Sequence, residues 1–286
     1  MRPLSTRQRW LISTSRLILA AVSGRAVRLQ HLPQMLVSEP TRESNMSVIY
    51  RVASNLPPRA KRVILGVHRR WWTAVRRVVT TTSPGRRWLF GRYVTTNYWG
   101  DDDSRSGRGS NLEATAVIRR ELPRILERHD ISSVLDVPCD DGFWAAHLEH
   151  RLERYVGADI VPALIDKLQA SAAPGREYLC LDAVRDELPQ VDAILSRDFL
   201  GHLSQKHAEA VLANFRRSGA VFLIATTHAG YTNSDIETGN WRPLNLAAAP
   251  YNLGPPLDLV NEGSTETGDA SVDKALGVWR LDGASA

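Results

Sequence analysis

The feature that most constrains this chain is an alternation that begins near residue 93. Short apolar runs of strand type alternate with segments of helical periodicity. The runs are Val134 to Val137, Tyr155 to Ala158, Tyr178 to Leu181, Ala193 to Leu195 and Val221 to Ala225; the helical segments lie at 143–152, 161–172 and 204–217. Strands that alternate with helices make parallel βαβ units, which wind into an open sheet covered on both faces. Two further strand-like runs close the sequence, LDLVNEG and KALGVWRL, with no helix between them. The pattern predicts an α/β fold: a doubly wound, mostly parallel seven-stranded sheet with an antiparallel edge strand. A helix over NLEATAVIRRELPRILERH precedes the first strand, and Ser110 followed by Glu113 has the form of a capping box.

Charge divides the 286 residues sharply. Residues 1–92 carry 18 Lys and Arg against two acids, Glu39 and Glu43, whereas residues 93–286 carry 18 against 29. We therefore expect a basic, partly disordered N-terminal extension over 1–92 and a catalytic or binding domain over 93–286. Within the extension, residues 58–80 mix Val63, Leu65, Val67, Trp71, Trp72, Val75, Val78 and Val79 with Arg62, Arg69, Arg70, Arg76 and Arg77. A basic amphipathic helix carrying Trp suits an anionic membrane surface; the alternative is a helix that packs its apolar side on the acidic domain. Arg16 and Arg25 bracket the apolar run Leu17 to Val22, which is too short for a span or a good signal core. Met46 is an alternative start. Two cysteines make no disulfide framework or zinc cluster, so a cytoplasmic location is expected, with peripheral contact at the inner membrane surface through the basic region. Neither specific nucleic-acid recognition nor a metal is expected.

In an open α/β sheet, ligands sit outside the carboxyl ends of the strands. The first strand ends at Asp136 and turns through Pro138-Cys139-Asp140-Asp141-Gly142; the second ends in Gly157-Ala158-Asp159. Asp159 lies 23 residues after Asp136, where an acid accepts hydrogen bonds from ribose hydroxyls. The third strand ends in Leu181-Asp182, the fourth in Ser196-Arg197-Asp198 with His202 beyond, and the fifth in His228. No GxGxxG is present, and two acids stand where a pyrophosphate would lie. A dinucleotide is disfavoured. An adenosyl ligand with a cationic sulfonium fits, because carboxylates attract it.

These residues resemble the class I S-adenosylmethionine-dependent methyltransferases, over roughly residues 97–282. The resemblance is nearer to a bacterial subgroup, through Tyr98-Trp99-Gly100, Ser106-Gly107-Arg108-Gly109-Ser110, the turn Asp136-Val137-Pro138-Cys139-Asp140-Asp141 with Trp144, Arg197-Asp198 with His202, and Trp241-Arg242-Pro243-Leu244-Asn245-Leu246. It implies a Rossmann-like methyltransferase fold with S-adenosyl-L-methionine as cofactor. Asp136, Cys139, Asp140, Asp141, Gly142 and Trp144 would line its methionine part. Asp159 would hold the ribose, and Ile160, Asp182 and Ala183 would lie beside the adenine. Asp140 stands where the subgroup has Gly; Asp tolerates a positive φ there better than most residues, but its side chain would crowd the methionine moiety and weaken cofactor binding.

Methyl transfer from a sulfonium is an in-line displacement, so most catalysis comes from holding the reactants together. A hydroxyl acceptor, on a small molecule or a saccharide, gains from a general base. The candidates are Asp198, His202 and His228, in that order, with Arg197 beside them. Each has a structural alternative: Asp198 as a helix cap, His202 as a packed helix histidine, Arg197 as an ion-pair partner. Trp241, Arg242 and Asn245, with His228, are candidate substrate contacts, although the prolines around them equally suit a structural cover. Two rival functions remain open: a non-catalytic binding module attached to a membrane or protein, and an NAD-dependent oxidoreductase.

Overall fold

The computed structural model describes residues 57–148, 152–263 and 273–282; Met46, the run Leu17 to Val22 and the end of the helix expected at 143–152 lie outside them. The chain divides into two compact units, Met1–Leu65 and Gly66–Ala286. Of the first, the described residues begin helix α1 (Pro58–Val79). The second contains the other described elements: helices α2 (Ser83–Thr96), α3 (Ala116–Arg128), α4 (Pro162–Ala170) and α5 (Gln205–Arg217), with strands β1 (Ser133–Asp136), β2 (Arg154–Asp159), β3 (Arg176–Cys180), β4 (Ala193–Ser196), β5 (Phe222–His228), β6 (Asp258–Asn261) and β7 (Lys274–Arg280).

The strands form one seven-stranded sheet in the order β3-β2-β1-β4-β5-β7-β6. Strands β1 to β5 pair in parallel, and β7 enters antiparallel between β5 and β6. The chain reverses its direction of travel across the sheet between β1 and β4, which opens a crevice at their carboxyl ends.

Successive strand residues face opposite sides, and two apolar cores result. Leu135, Ile194 and Leu223 pack with Ala208, Val211, Leu212 and Phe215 of α5. Their neighbours Val134, Leu195 and Ile224 pack with Ile118, Leu122, Ile125 and Leu126 of α3 and with Ile165 of α4. Helices therefore cover both faces. Each starts for a local reason. Ser204 caps α5 by accepting from the His207 N–H, and Pro162 supplies a preset φ at the start of α4. The expected capping box at Ser110 does not form, because residues 108–110 make a 3-10 turn and α3 begins only at Ala116. Asn111 instead accepts from the Ala114 N–H at 2.9 Å. The helix expected at 143–152 is, in its described part, a 3-10 turn at Ala145–His147.

The expected boundary between residues 92 and 93 falls inside α2, which is built into the second unit. Leu89 is fully buried, and Arg86 is buried against Asp182, its Nε donating at 3.1 Å and its Nη2 also reaching the carboxylate. The unit boundary lies 27 residues earlier, so the sharp change in charge does not mark the edge of the folded body. Basic residues here neutralise acids of the sheet. Arg86→Leu should strip Asp182 of its cation and cost about 3–5 kcal/mol, whereas Arg86→Leu with Asp182→Leu should recover most of it. Thermal unfolding of the single and double variants checks this, and a chain truncated to begin at Tyr93 should melt like the single variant or lower.

Candidate functional site

A cavity of about 820 Å³, counting space open to solvent, sits at the crevice between the β1 and β4 ends. Its floor comes from the residues after the strands: Val137, Pro138 and Asp140 after β1, Asp159 and Ile160 at the end of β2, Leu181, Asp182 and Ala183 after β3, and Asp198 and Phe199 after β4. Its walls come from α2 (Arg86, Phe90, Val94) and from Trp99, Ser106 and Ser110. The surface is largely apolar with carboxylates set into it.

Of the expected cofactor residues, Asp140, Asp159, Ile160, Asp182 and Ala183 line this cavity together. Asp159 is buried and accepts from the Val161 N–H at 2.8 Å and from the amides of Asp140 and Ile160. Three backbone donors fix its carboxylate, yet burial still pushes it up to about 6. Asp140 adopts φ 51°, the left-handed conformation that the sequence made Asp accept in place of Gly. Burial, with repulsion from Asp159, Asp141 and Asp136, pushes its carboxyl well above the usual range. Asp182 is held by Arg86 and accepts from the Val184 N–H at 3.1 Å.

The other five lie behind the lining. Asp136 is buried and accepts from the Tyr155 hydroxyl at 2.6 Å; burial pushes it up to about 7, against the pull of Tyr155, Arg176 and Arg197. Cys139 is buried, and burial raises its thiol. Asp141 accepts from Ser104 Oγ and the Arg105 N–H, tying the 104–110 segment to the first turn. Gly142 has φ 68°, and a Cβ there would meet Leu168 at 2.8 Å. Trp144 is buried beneath the Arg197 guanidinium, 5.7 Å from its ring centre.

On the acceptor side, Asp198 and His202 line the cavity and Arg197 does not. Asp198 is no helix cap. Its carboxylate accepts from Lys274 Nζ at 2.6 Å and lies 3.3 Å from Arg197, which also pairs with buried Glu262 at 2.7 Å. Burial would raise Asp198, but Lys274 and Arg197 outweigh it and hold the carboxyl well below the usual range. A carboxylate so stabilised is a weak base.

The two histidines differ in tautomer. His202 Nδ1 lies 3.1 Å from the Asn240 carbonyl, which can only accept, so Nδ1 carries a proton. His228 Nδ1 accepts from the Leu244 N–H at 3.2 Å, which puts its proton on Nε2. Burial lowers the His228 pKa, which disfavours its charged form. His228 is a donor in this state, and it does not line the cavity.

The three loop residues expected to touch substrate do not line it either. Arg242 is buried, donating to the carbonyls of Ser234, Gly201 and Leu203 and to the Tyr251 hydroxyl. Asn245 donates to the Ala229 carbonyl and accepts from the Ala247 N–H. Both are consumed in holding the 229–251 loop, the structural role the prolines allowed. Trp241 is 48% exposed, with its ring edge toward His228. Sequence reasoning missed Arg86, Phe90, Val94 and Phe199 as lining residues; only the helical spacing of 86, 90 and 94 on one face hinted at the first three. Among the described residues no group of three His, Cys, Asp or Glu is placed to hold a metal.

Residues 134–219 match the family model described as a methyltransferase domain. The N-methyltransferase NodS from Bradyrhizobium japonicum WM9, solved with S-adenosyl-L-homocysteine, aligns at a TM-score of 0.50 and 16% identity, over 69% of this chain and 99% of that one. Magnesium protoporphyrin IX methyltransferase (ChlM) from Synechocystis PCC 6803, solved with bound SAM, aligns at a TM-score of 0.50 and 12% identity, over 69% and 96%. Comparison with curated proteins finds no match.

The raised carboxyls bear on stability. Asp136 near 7 and Asp159 near 6 sit above their unfolded value of about 3.9, so the stability they contribute is full below pH ~4 and lost as pH rises through ~6 and ~7. The melting temperature of the ligand-free protein should therefore fall between about pH 4 and 7 on their account, and less so in Asp136→Asn. A calorimetric scan across that range reads it. The sheet order, the crevice at its reversal and the matched segment together make this a Rossmann-like methyltransferase fold.

Proposed function

We propose that the chain is an S-adenosylmethionine-dependent methyltransferase acting on a hydroxyl of a small-molecule or saccharide acceptor. The observation that carries the reading is the cavity itself: an apolar space at the topological switch point, ringed by Asp140, Asp159, Asp182 and Asp198. The donor set fits the cofactor. Its buried carboxyls repel one another, a cost that a cationic ligand relieves, and Asp159 is fixed by backbone amides for two ribose hydroxyls. Ile160, Ala183 and Val184 offer apolar surface for a purine, and Asp140 with Pro138 borders the methionine end. The bound cofactor supplies a methyl group on a cationic sulfur, already activated for displacement.

The chain's own residues then position and deprotonate the acceptor. His202 accepts the hydroxyl proton at Nε2, its ring held by the Asn240 carbonyl. Asp198, ionised through Lys274 and Arg197 and coupled electrostatically to His202, stabilises the imidazolium that forms. This reverses the order read from sequence, with His202 ahead of Asp198 and His228 a donor only. The solved neighbours support the cofactor through their bound ligands.

Asp140 favours a second reading, a non-catalytic module, since its side chain occupies cavity lining in a left-handed turn. Calorimetry with adenosylhomocysteine separates the two. We expect micromolar binding, lost at least tenfold in Asp159→Ala and tightened in Asp140→Gly; no heat at millimolar ligand favours the module, and binding of NADH in its place favours an oxidoreductase. With labelled cofactor and a panel of hydroxyl and saccharide acceptors, His202→Gln should lower kcat by ~10²–10⁴ while leaving adenosylhomocysteine affinity within about twofold.

A further inference from the structure

Helix α1 from Gly66 onward presents two unlike faces. On one, Trp72 packs edge-on against Trp88 at 6.1 Å and Arg76 Nη1 donates to Asn240 Oδ1 at 2.6 Å, so this face belongs to the folded unit. On the other, Val67, Trp71, Ala74 and Val78 are all exposed. Their spacing of four, three and four residues places them on one line along the helix, about 16 Å long at 1.5 Å per residue. Trp71 is 44% exposed and Val78 70%. Single exposed apolar residues need no explanation, but a continuous line of them does.

The charges beside the line identify its occupant. Arg70 and Arg77 are exposed along it, and helix Pro58–Val79 contains no acid at all. Arg77 reaches Glu237 yet keeps 74% of its side chain exposed. Apolar side chains with an indole at the middle, flanked only by cations, suit the boundary between anionic headgroups and acyl chains. A nucleic acid would use the arginines and leave the valines in water. No helix among the described residues is long and apolar enough to cross a membrane, so contact through this face would be peripheral.

We propose that α1 docks on an anionic lipid bilayer through Val67, Trp71, Ala74 and Val78. Docking of this face leaves the opposite one bonded to the 237–241 loop, and the carbonyl of Asn240 in that loop holds His202. The surface contact is thereby joined to the acceptor side of the cavity by two hydrogen bonds. The docking stands whether or not the catalytic reading does.

The test is co-sedimentation of the full chain with vesicles of phosphatidylglycerol and phosphatidylcholine, against phosphatidylcholine alone. We expect sedimentation with the anionic vesicles only, weakened between 50 mM and 500 mM salt. The variant Val67→Glu/Trp71→Glu/Val78→Glu should sediment at least fivefold less while melting at the same temperature as the parent. Trp71→Ala alone should give an intermediate loss. The proposal is overturned if the full chain stays in the supernatant, if it sediments equally with neutral vesicles, or if the triple variant sediments like the parent, which would assign binding to the residues before α1.

Discussion

A carboxylate taken out of water must find compensating charge or hydrogen bonds, or give up its ionisation. This constraint organises the whole upper edge of the sheet. Five acids gather at or beyond the ends of β1 to β4, and each is treated differently. Three amides hold Asp159, a tyrosine hydroxyl holds Asp136, Arg86 holds Asp182, and Lys274 with Arg197 holds Asp198. Asp140 is left chiefly with burial and repulsion, partly relieved by Ser106. The cavity thus keeps carboxyls that only a cationic ligand would favour as ionised, and pairs the others with cations of its own.

The compensating cations come from sequence far from the acids. Arg86 stands 96 residues before Asp182, and Lys274 stands 76 after Asp198. The basic segment and the last strand are therefore part of the site's electrostatics. Removing either end of the folded unit would be felt at the cavity as well as in the two apolar cores.

Most of the fold was legible because period and strand length dominate in parallel sheets. Val134 and Leu135, Ile194 and Leu195 read as strands from composition alone, and their alternate burial follows from the pleat. The boundary at residue 92 was misread because charge was taken as a sign of separateness, when Arg86 carries its charge into the core to meet an acid. Asp159 and Asp140 were legible as lining residues, since strand ends point at the crevice. The assignment of Arg242 and Asn245 was not: a conspicuous motif cannot tell a side chain that binds a ligand from one that ties together its own loop. The roles of His202 and His228 were beyond sequence too, because a tautomer depends on which backbone group faces which ring nitrogen, Asn240 carbonyl in one case and Leu244 amide in the other.

One further consequence follows from the clamp between Glu262 and Lys274. The Glu262 N–H donates to the Lys274 carbonyl at 2.9 Å, and their side chains approach to 3.7 Å beside Asp198. The chain thus leaves the sheet and rejoins it at a single point. Because closing a loop costs only logarithmically more as it lengthens, the stretch between those two residues can gain or lose many residues at little expense to folding. Evolution, or an engineer swapping segments, has there a place to change the length of the chain without rebuilding the scaffold beneath it.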